Sequence, residues 1–290
     1  MKSLPFRLVK DRLLESPAGK PFTLDLYTPS GPVSCPLIIF AHGFKGFKDW
    51  GHWHLIAEAF AMKGFAFLKF NFSHNGVTPE NPQEFADLEA FGNNNFSKEL
   101  QDLEALMSAL HDAPDWLPAS VDLSRIALIG HSRGGALAIL FAAIEKRIKA
   151  LVTWAAVSDV GFLWKGVPWL EQWKQTGVIF IPNARTNQEM PLYYQLFEDY
   201  QQHGARYKTE SQLPQVHCPM LVVHGTADPG VPSTHAEQLI SWKPGAQLAL
   251  IEGADHVFGG GHPYEEEKLP PHSEGLVSVT AEFLAKKLGL

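Results

Sequence analysis

Cysteine is scarce in this sequence, with Cys35 and Cys218 the only two among 290 residues. Each stands just before a proline that leads into an apolar run. A disulfide framework is therefore not expected, and both residues read as buried free thiols. Basic excess is lacking too: 24 Lys and Arg face 31 Asp and Glu, for a net charge of -7. A nucleic acid or an anionic membrane would need a concentrated basic surface, so neither is expected as a partner and a small molecule fits better. No apolar run reaches the roughly 18 residues needed to cross a bilayer. The opening segment Met1 to Lys20 has charges scattered through it and lacks the apolar stretch and small-residue cleavage site of a secretory signal, so a cytoplasmic location is expected. Repeats and low-complexity tracts are absent, and oligomeric state, monomer or dimer, is left open.

What is present is an ordinary globular composition, 45% hydrophobic and 19% charged, in a chain long enough for a full core. Short β-branched or aromatic runs alternate with longer helical patterns, the signature of an α/β fold with a mostly parallel sheet covered by helices. Eight strands are predicted, at 6–9, 22–27, 37–41, 65–72, 125–129, 150–154, 220–224 and 247–251, the first two forming an antiparallel edge. Helices are predicted at 52–63, 97–111, 134–145, 234–241 and 275–288. Two segments break the alternation. The Asn-, Pro- and Gly-rich stretch 73–96 reads as a long functional loop. Residues 155–215 read as an inserted cap on a core made of 1–154 and 216–290, with a small hairpin pairing 177–181 with 189–192 and a helix over 193–204.

The segment Arg125 to Leu140 puts Ser132 between a β-type run and an alanine-rich helix, inside Gly130, His131, Ser132, Arg133, Gly134. A serine on such a turn needs a strained backbone, and glycines two positions to either side remove side chains that would clash there. A small-residue turn chosen for close helix packing would look similar, so context must carry the reading. Serine is nearly inert at neutral pH and requires a base. His256, in a Gly-containing loop just after a predicted strand, is the candidate, while His42 and His131 read as supports. The base needs a carboxylate to fix its tautomer. Asp228 sits on a tight turn at a strand's carboxyl end, where open α/β sheets place their chemistry. Asp159 is the competing acid, and Asp255 lies too near His256 in sequence to orient it easily. After the third strand, Ala41, His42, Gly43, Phe44 form a turn that can aim the Phe44 backbone N–H at a substrate oxygen, with the Arg133 N–H as second donor.

Together the HGF turn, GHSRGG, GTAD and GADH segments resemble the α/β-hydrolase superfamily in its order Ser, acid, His, over nearly the whole chain apart from the cap. HGFKGFK and NFSHNG are similar to its dienelactone-hydrolase-like and feruloyl (cinnamoyl) esterase-like branch. The resemblance implies an α/β-hydrolase fold with the cap between the sixth strand and the acid-bearing strand. It also implies Ser132, Asp228 and His256 as the catalytic set, with the amides of Phe44 and Arg133 as the oxyanion hole.

The chemistry implied is two-step acyl transfer on a small carboxylic ester, with no metal or organic cofactor required. A thioesterase, lactonase or peptidase would use the same machinery, and a non-catalytic binder could keep the same fold. Trp154, Phe162, Trp164, Trp169 and Trp173 are expected to offer flat apolar surface to an aromatic or medium acyl group. Packing between cap and core would use the same residues. Lys45 and Arg133 are placed to meet an anionic substrate end.

Overall fold

The computed structural model describes residues 5–31, 33–164, 169–183 and 186–290. In chain order the elements are β1 (Phe6–Leu14), β2 (Phe22–Pro29), β3 (Cys35–Ala41), α1 (Trp53–Met62), β4 (Ala66–Phe70), α2 (Leu88–Gly92), α3 (Phe96–His111), β5 (Val121–His131), α4 (Arg133–Ile144) and β6 (Ile148–Trp154). They continue with α5 (Leu170–Thr176), β7 (Val178–Asn183), β8 (Gln188–Tyr193), α6 (Gln195–Gln202), α7 (Gly204–Tyr207), α8 (Thr209–Gln212), β9 (Met220–Gly225), α9 (Thr234–Trp242), β10 (Gln247–Ile251) and α10 (Pro271–Leu288).

Eight strands form one sheet in the order β1-β2-β4-β3-β5-β6-β9-β10. β1 and β2 join it antiparallel and the others run parallel, the antiparallel edge expected from sequence. Central strands are apolar on both faces because helices cover both. Leu37 and Ile39 of β3 face a cluster with residues of α3, α4 and α9, whereas Ile38 and Phe40 face one with α1 and α10. This two-sided burial explains why the strands read as continuous apolar runs rather than alternating ones.

The chain leaves β3 toward β4 on one side and returns to β5 on the other. Connections that diverge from neighbouring parallel strands leave a crevice at the carboxyl ends, between the turn after β3 and the turn after β5. The register Ala41↔Gly130 brings those two turns level.

Between β6 and β9 lies the segment read from sequence as an insertion, with α5, the antiparallel β7–β8 hairpin and α6. Its buried Trp164, Trp173, Met190, Leu192 and Leu196 join the same apolar cluster as α3 and α4. The stretch 73–96 is not loop throughout, since α2 forms there with Asp87 as its cap, accepting from the Ala90 N–H at 2.8 Å. Both cysteines are free, Cys35 buried and Cys218 only partly so, a departure from the expected pair of buried thiols. Among the described residues no helix is long and apolar enough to cross a membrane.

Candidate active site

β5 ends at His131, and the chain turns at once into α4 through Ser132, whose φ of 57° and ψ of -123° lie outside the regions L-residues favour. The sequence tolerates this turn because its neighbours are small. A Cβ on Gly130 would lie 2.2 Å from the Gly134 carbonyl oxygen, and one on Gly134 would lie 2.4 Å from that of His42. Gly43 approaches from the other turn so closely that its own Cβ would sit 2.9 Å from Cβ of Ser132.

Ser132 Oγ is 3.0 Å from Nε2 of His256, and His256 Nδ1 is 2.7 Å from Asp228 Oδ2. Asp228 follows β9, and its other oxygen accepts from the backbone N–H groups of Gly230 and Val231 at 2.9 and 2.8 Å. Burial pushes this carboxyl up, but hydrogen bonds from His224, His256 and the Val231 N–H outweigh burial and hold it well below the usual carboxylate range. The acid is therefore ionised and only accepts. His256 must donate from Nδ1, which leaves the Nε2 lone pair facing the serine hydroxyl. In that state the imidazole can take the hydroxyl proton.

The two supporting histidines are buried and neutral. His42 donates from Nδ1 to the Gly43 carbonyl oxygen at 2.9 Å, while its Nε2 accepts from the Phe72 N–H at 3.3 Å. It thus ties the turn after β3 to the chain leaving β4, and burial lowers its pKa to about 4. His131 donates from Nε2 to the carbonyl oxygen of His256 at 2.8 Å and so fixes that loop's backbone. Among the described residues, neither the Phe44 nor the Arg133 backbone N–H has an acceptor within the protein, as donors kept for a ligand would require.

Two clefts meet at Ser132 and His256. One, of about 270 Å³, is bordered by the Gly43–Gly46 turn, Trp50, Trp53 and Asn183. The other, of about 350 Å³, is bordered by Phe44, Arg133, Val157, Val160, Phe162 and Val231. Of the aromatic residues expected to line a pocket, Phe162 does so. Trp154 does not: it is fully buried beneath the sheet between Phe40 and Phe60, with its indole N–H on Thr280 Oγ1. Trp164 and Trp173 pack with Phe197 inside the insertion, and Trp173 donates to the Leu192 carbonyl oxygen. Trp169 packs edge-on against Trp173. None of these four borders either cleft. Arg133 is paired with Glu99 and buried, so its charge is already engaged. Lys45 borders both clefts and donates to the Pro182 carbonyl oxygen at 3.4 Å. Asp159 and Asp255 do not reach His256 Nδ1, and Asp255 instead accepts from the Val257 and Gly259 N–H groups.

Sequence reasoning missed Trp50, Trp53, Asn183 and the three valines. Val231 carried a signal, standing three residues past Asp228 in the same turn. Asn183 carried none, because only the fold of the hairpin brings it there. Among the described residues the one group with metal-ligand spacing is Asp11, Asp25 and Asp49, the first two on β1 and β2 at the antiparallel edge of the sheet. The ammonium groups of Lys48 and Lys69 already lie among those carboxylates, at 2.5 to 2.9 Å, which is charge compensation rather than a vacant ligand set.

A family model described as the alpha/beta hydrolase family matches residues 38–267. The chain belongs to that family. It is 25% identical over 238 residues to 2,6-dihydropseudooxynicotine hydrolase of Paenarthrobacter nicotinovorans, covering 82% of this chain and 56% of that protein, so the chain spans little more than half the length of that relative. Among solved structures, Est1E from Butyrivibrio proteoclasticus superposes with a TM-score of 0.68 at 20% identity, covering 97% of this chain and all of that one. A dienelactone hydrolase from Anabaena variabilis gives a TM-score of 0.65 at 18% identity, covering 98% and 99%. At those identities the likeness is one of fold, the eight-stranded α/β-hydrolase sheet.

Proposed function

We propose that this family member is a serine hydrolase that cleaves small carboxylic esters through an acyl-enzyme, within the esterase-like and dienelactone-hydrolase-like part of its family. Ser132 Oγ adds to the ester carbonyl while its proton passes to His256 Nε2, and Asp228 stabilises the imidazolium. The oxyanion faces the free N–H groups of Phe44 and Arg133, at the positive end of α4. The imidazolium then protonates the leaving alcohol as the C–O bond breaks. Water, deprotonated by the same histidine, releases the acid and restores Ser132.

The observation that carries this reading is the continuous chain of contacts, 3.0 and 2.7 Å, from the strained serine through the imidazole to an ionised carboxylate. The two clefts suit a substrate with a group on each side of its carbonyl, and the valine-lined one suits an apolar acyl or aryl group. Residues 155–215 form the cap of this site in the same reading, since Phe162, Val160 and Asn183 come from them.

Hydrolysis of p-nitrophenyl acyl esters of increasing length, alongside methyl ferulate, a lactone, a thioester and an aminoacyl anilide, tests it. Turnover should be greatest on an oxygen ester, and Ser132→Ala should cut it by at least about a thousandfold. Undiminished turnover by the alanine variant, or preference for the anilide, would overturn the assignment.

A further inference from the structure

The residues offering the two free amides, Phe44 and Arg133, are also in contact through their side chains. Arg133 Cζ lies 4.6 Å from the centre of the Phe44 ring, and the Phe91 ring packs against the same ring at 5.6 Å. The guanidinium is held over that ring by Glu99 in the first turn of α3, hydrogen-bonded to Arg133 Nη2. Asn94 donates to the same Glu99 oxygen at 2.9 Å, and Phe96 lies 5.9 Å from Arg133 Cζ. Arg133 and Glu99 are both more than nine-tenths buried, and Glu99 Oε2 has no partner among the described residues. A buried ion pair is a weak source of net stability, so stability alone is a poor account of this one. A desolvated cation over an aromatic face is a strong contact, and it fixes the ring's position.

We propose that Glu99 and Arg133 are positioning residues for the oxyanion hole: the Glu99-held guanidinium pins the Phe44 ring and so sets the spacing of the Phe44 and Arg133 amides. The proposal rests on the serine hydrolase reading above. His42 Nδ1 and the Gly46 N–H both donate to the Gly43 carbonyl oxygen, at 2.9 and 3.1 Å, which sets the tilt of the peptide that carries the Phe44 amide but comes from the same turn and not from α4. The ring contact supplies a constraint from α4, on which the second donor sits.

The test compares wild type with Arg133→Leu/Glu99→Leu, which removes both buried charges together and avoids stranding either one. It also includes Phe44→Leu, which keeps the amide and removes the ring, and Arg133→Lys, which keeps a cation over the ring. Steady-state kinetics on p-nitrophenyl butyrate are read beside inhibition by an aryl trifluoromethyl ketone, whose serine adduct carries the oxyanion. In the double variant and in Phe44→Leu, kcat is expected to fall between about tenfold and a hundredfold with KM within twofold, and ketone affinity to fall in parallel. Arg133→Lys is expected to lose less than either.

Both variants keeping kcat and ketone affinity within twofold of wild type would overturn the proposal. So would a loss of kcat that tracks only the fraction of folded protein, with ketone affinity unchanged. Should the double variant not fold, Phe44→Leu carries the same two readouts. Failure of the underlying reading is distinguishable, because then Ser132→Ala stays active and the ketone does not inhibit the wild type.

Discussion

Replacing Asp228 with Asn probes the electrostatics of the site with almost no change in shape. Oδ1 accepts from the Gly230 and Val231 N–H groups, and an asparagine oxygen can keep both bonds. The amide NH2 then takes the place of Oδ2 at 2.7 Å from His256 Nδ1. Two donors cannot face each other there, so the imidazole shifts its proton to Nε2 and presents a donor to Ser132 Oγ. The serine loses its base while every heavy atom stays near its place. The same tautomer trap in other serine hydrolases costs about 10⁴ in kcat, or about 5.5 kcal/mol of transition-state stabilisation. KM should change little, since no substrate contact is removed, and thermal stability should shift by only about 1 to 3 kcal/mol for the altered buried hydrogen bonds. Initial rates on p-nitrophenyl butyrate, with a thermal melt on the same sample, give both numbers. A folded Asp228→Asn variant within tenfold of wild-type kcat would refute the roles given to Asp228 and His256.

Acid should unfold the protein through its buried histidines. Burial lowers His42, His52 and His74 to about 4 and His131 to about 3, whereas in the unfolded chain histidine protonates near about 6.5. Below about pH 6.5 the unfolded state binds more protons, so stability is complete above that value and falls by about 1.4 kcal/mol per pH unit for each group. Asp102, raised by burial to about 7, works the other way over about pH 4 to 7 and offsets one of the four. The net loss of about 4 kcal/mol per unit, set against a total of about 5 to 15 kcal/mol, puts the unfolding midpoint at about pH 4 by circular dichroism, and native signal at pH 3 would contradict it. Lys48→Met should cost about 3 to 5 kcal/mol in denaturant titration, because Lys48 is fully buried against Asp25 at 2.9 Å and Asp49 at 2.7 Å. Phe162→Ala should raise KM for aryl or long acyl esters. Trp154→Phe should leave KM alone and lower Tm, and a KM change with Trp154→Phe would reverse the assignment of that residue to the core.

The central strands and the five long helices were legible because both-face burial writes uninterrupted apolar runs and sheet-covering helices write a period near 3.6, while the largely exposed edge strands β1 and β10 were legible only as short apolar runs. The Ser132 turn was legible for a steric reason: only glycine fits at positions 130 and 134, where a Cβ would strike backbone oxygens. The tryptophans of the insertion were not, because hydrophobic surface looks the same in sequence whether it meets a ligand or another side chain. Trp173 meets Trp164 and Phe197, and that outcome depends on how the hairpin closes over α5. Helix α2 was hidden by the Asn and Gly around it, although its capping Asp87 was a local signal. The contact between Arg133 and Glu99 spans 34 positions and left no periodic trace.

In the proposed reaction Ser132 alone among the serines is made nucleophilic by its neighbours. Incubation with a fluorophosphonate followed by peptide mass spectrometry reads this directly. One label per chain is expected, on the peptide containing Ser132, and none after His256→Ala. Labelling elsewhere, or no labelling of folded wild-type protein, would contradict it.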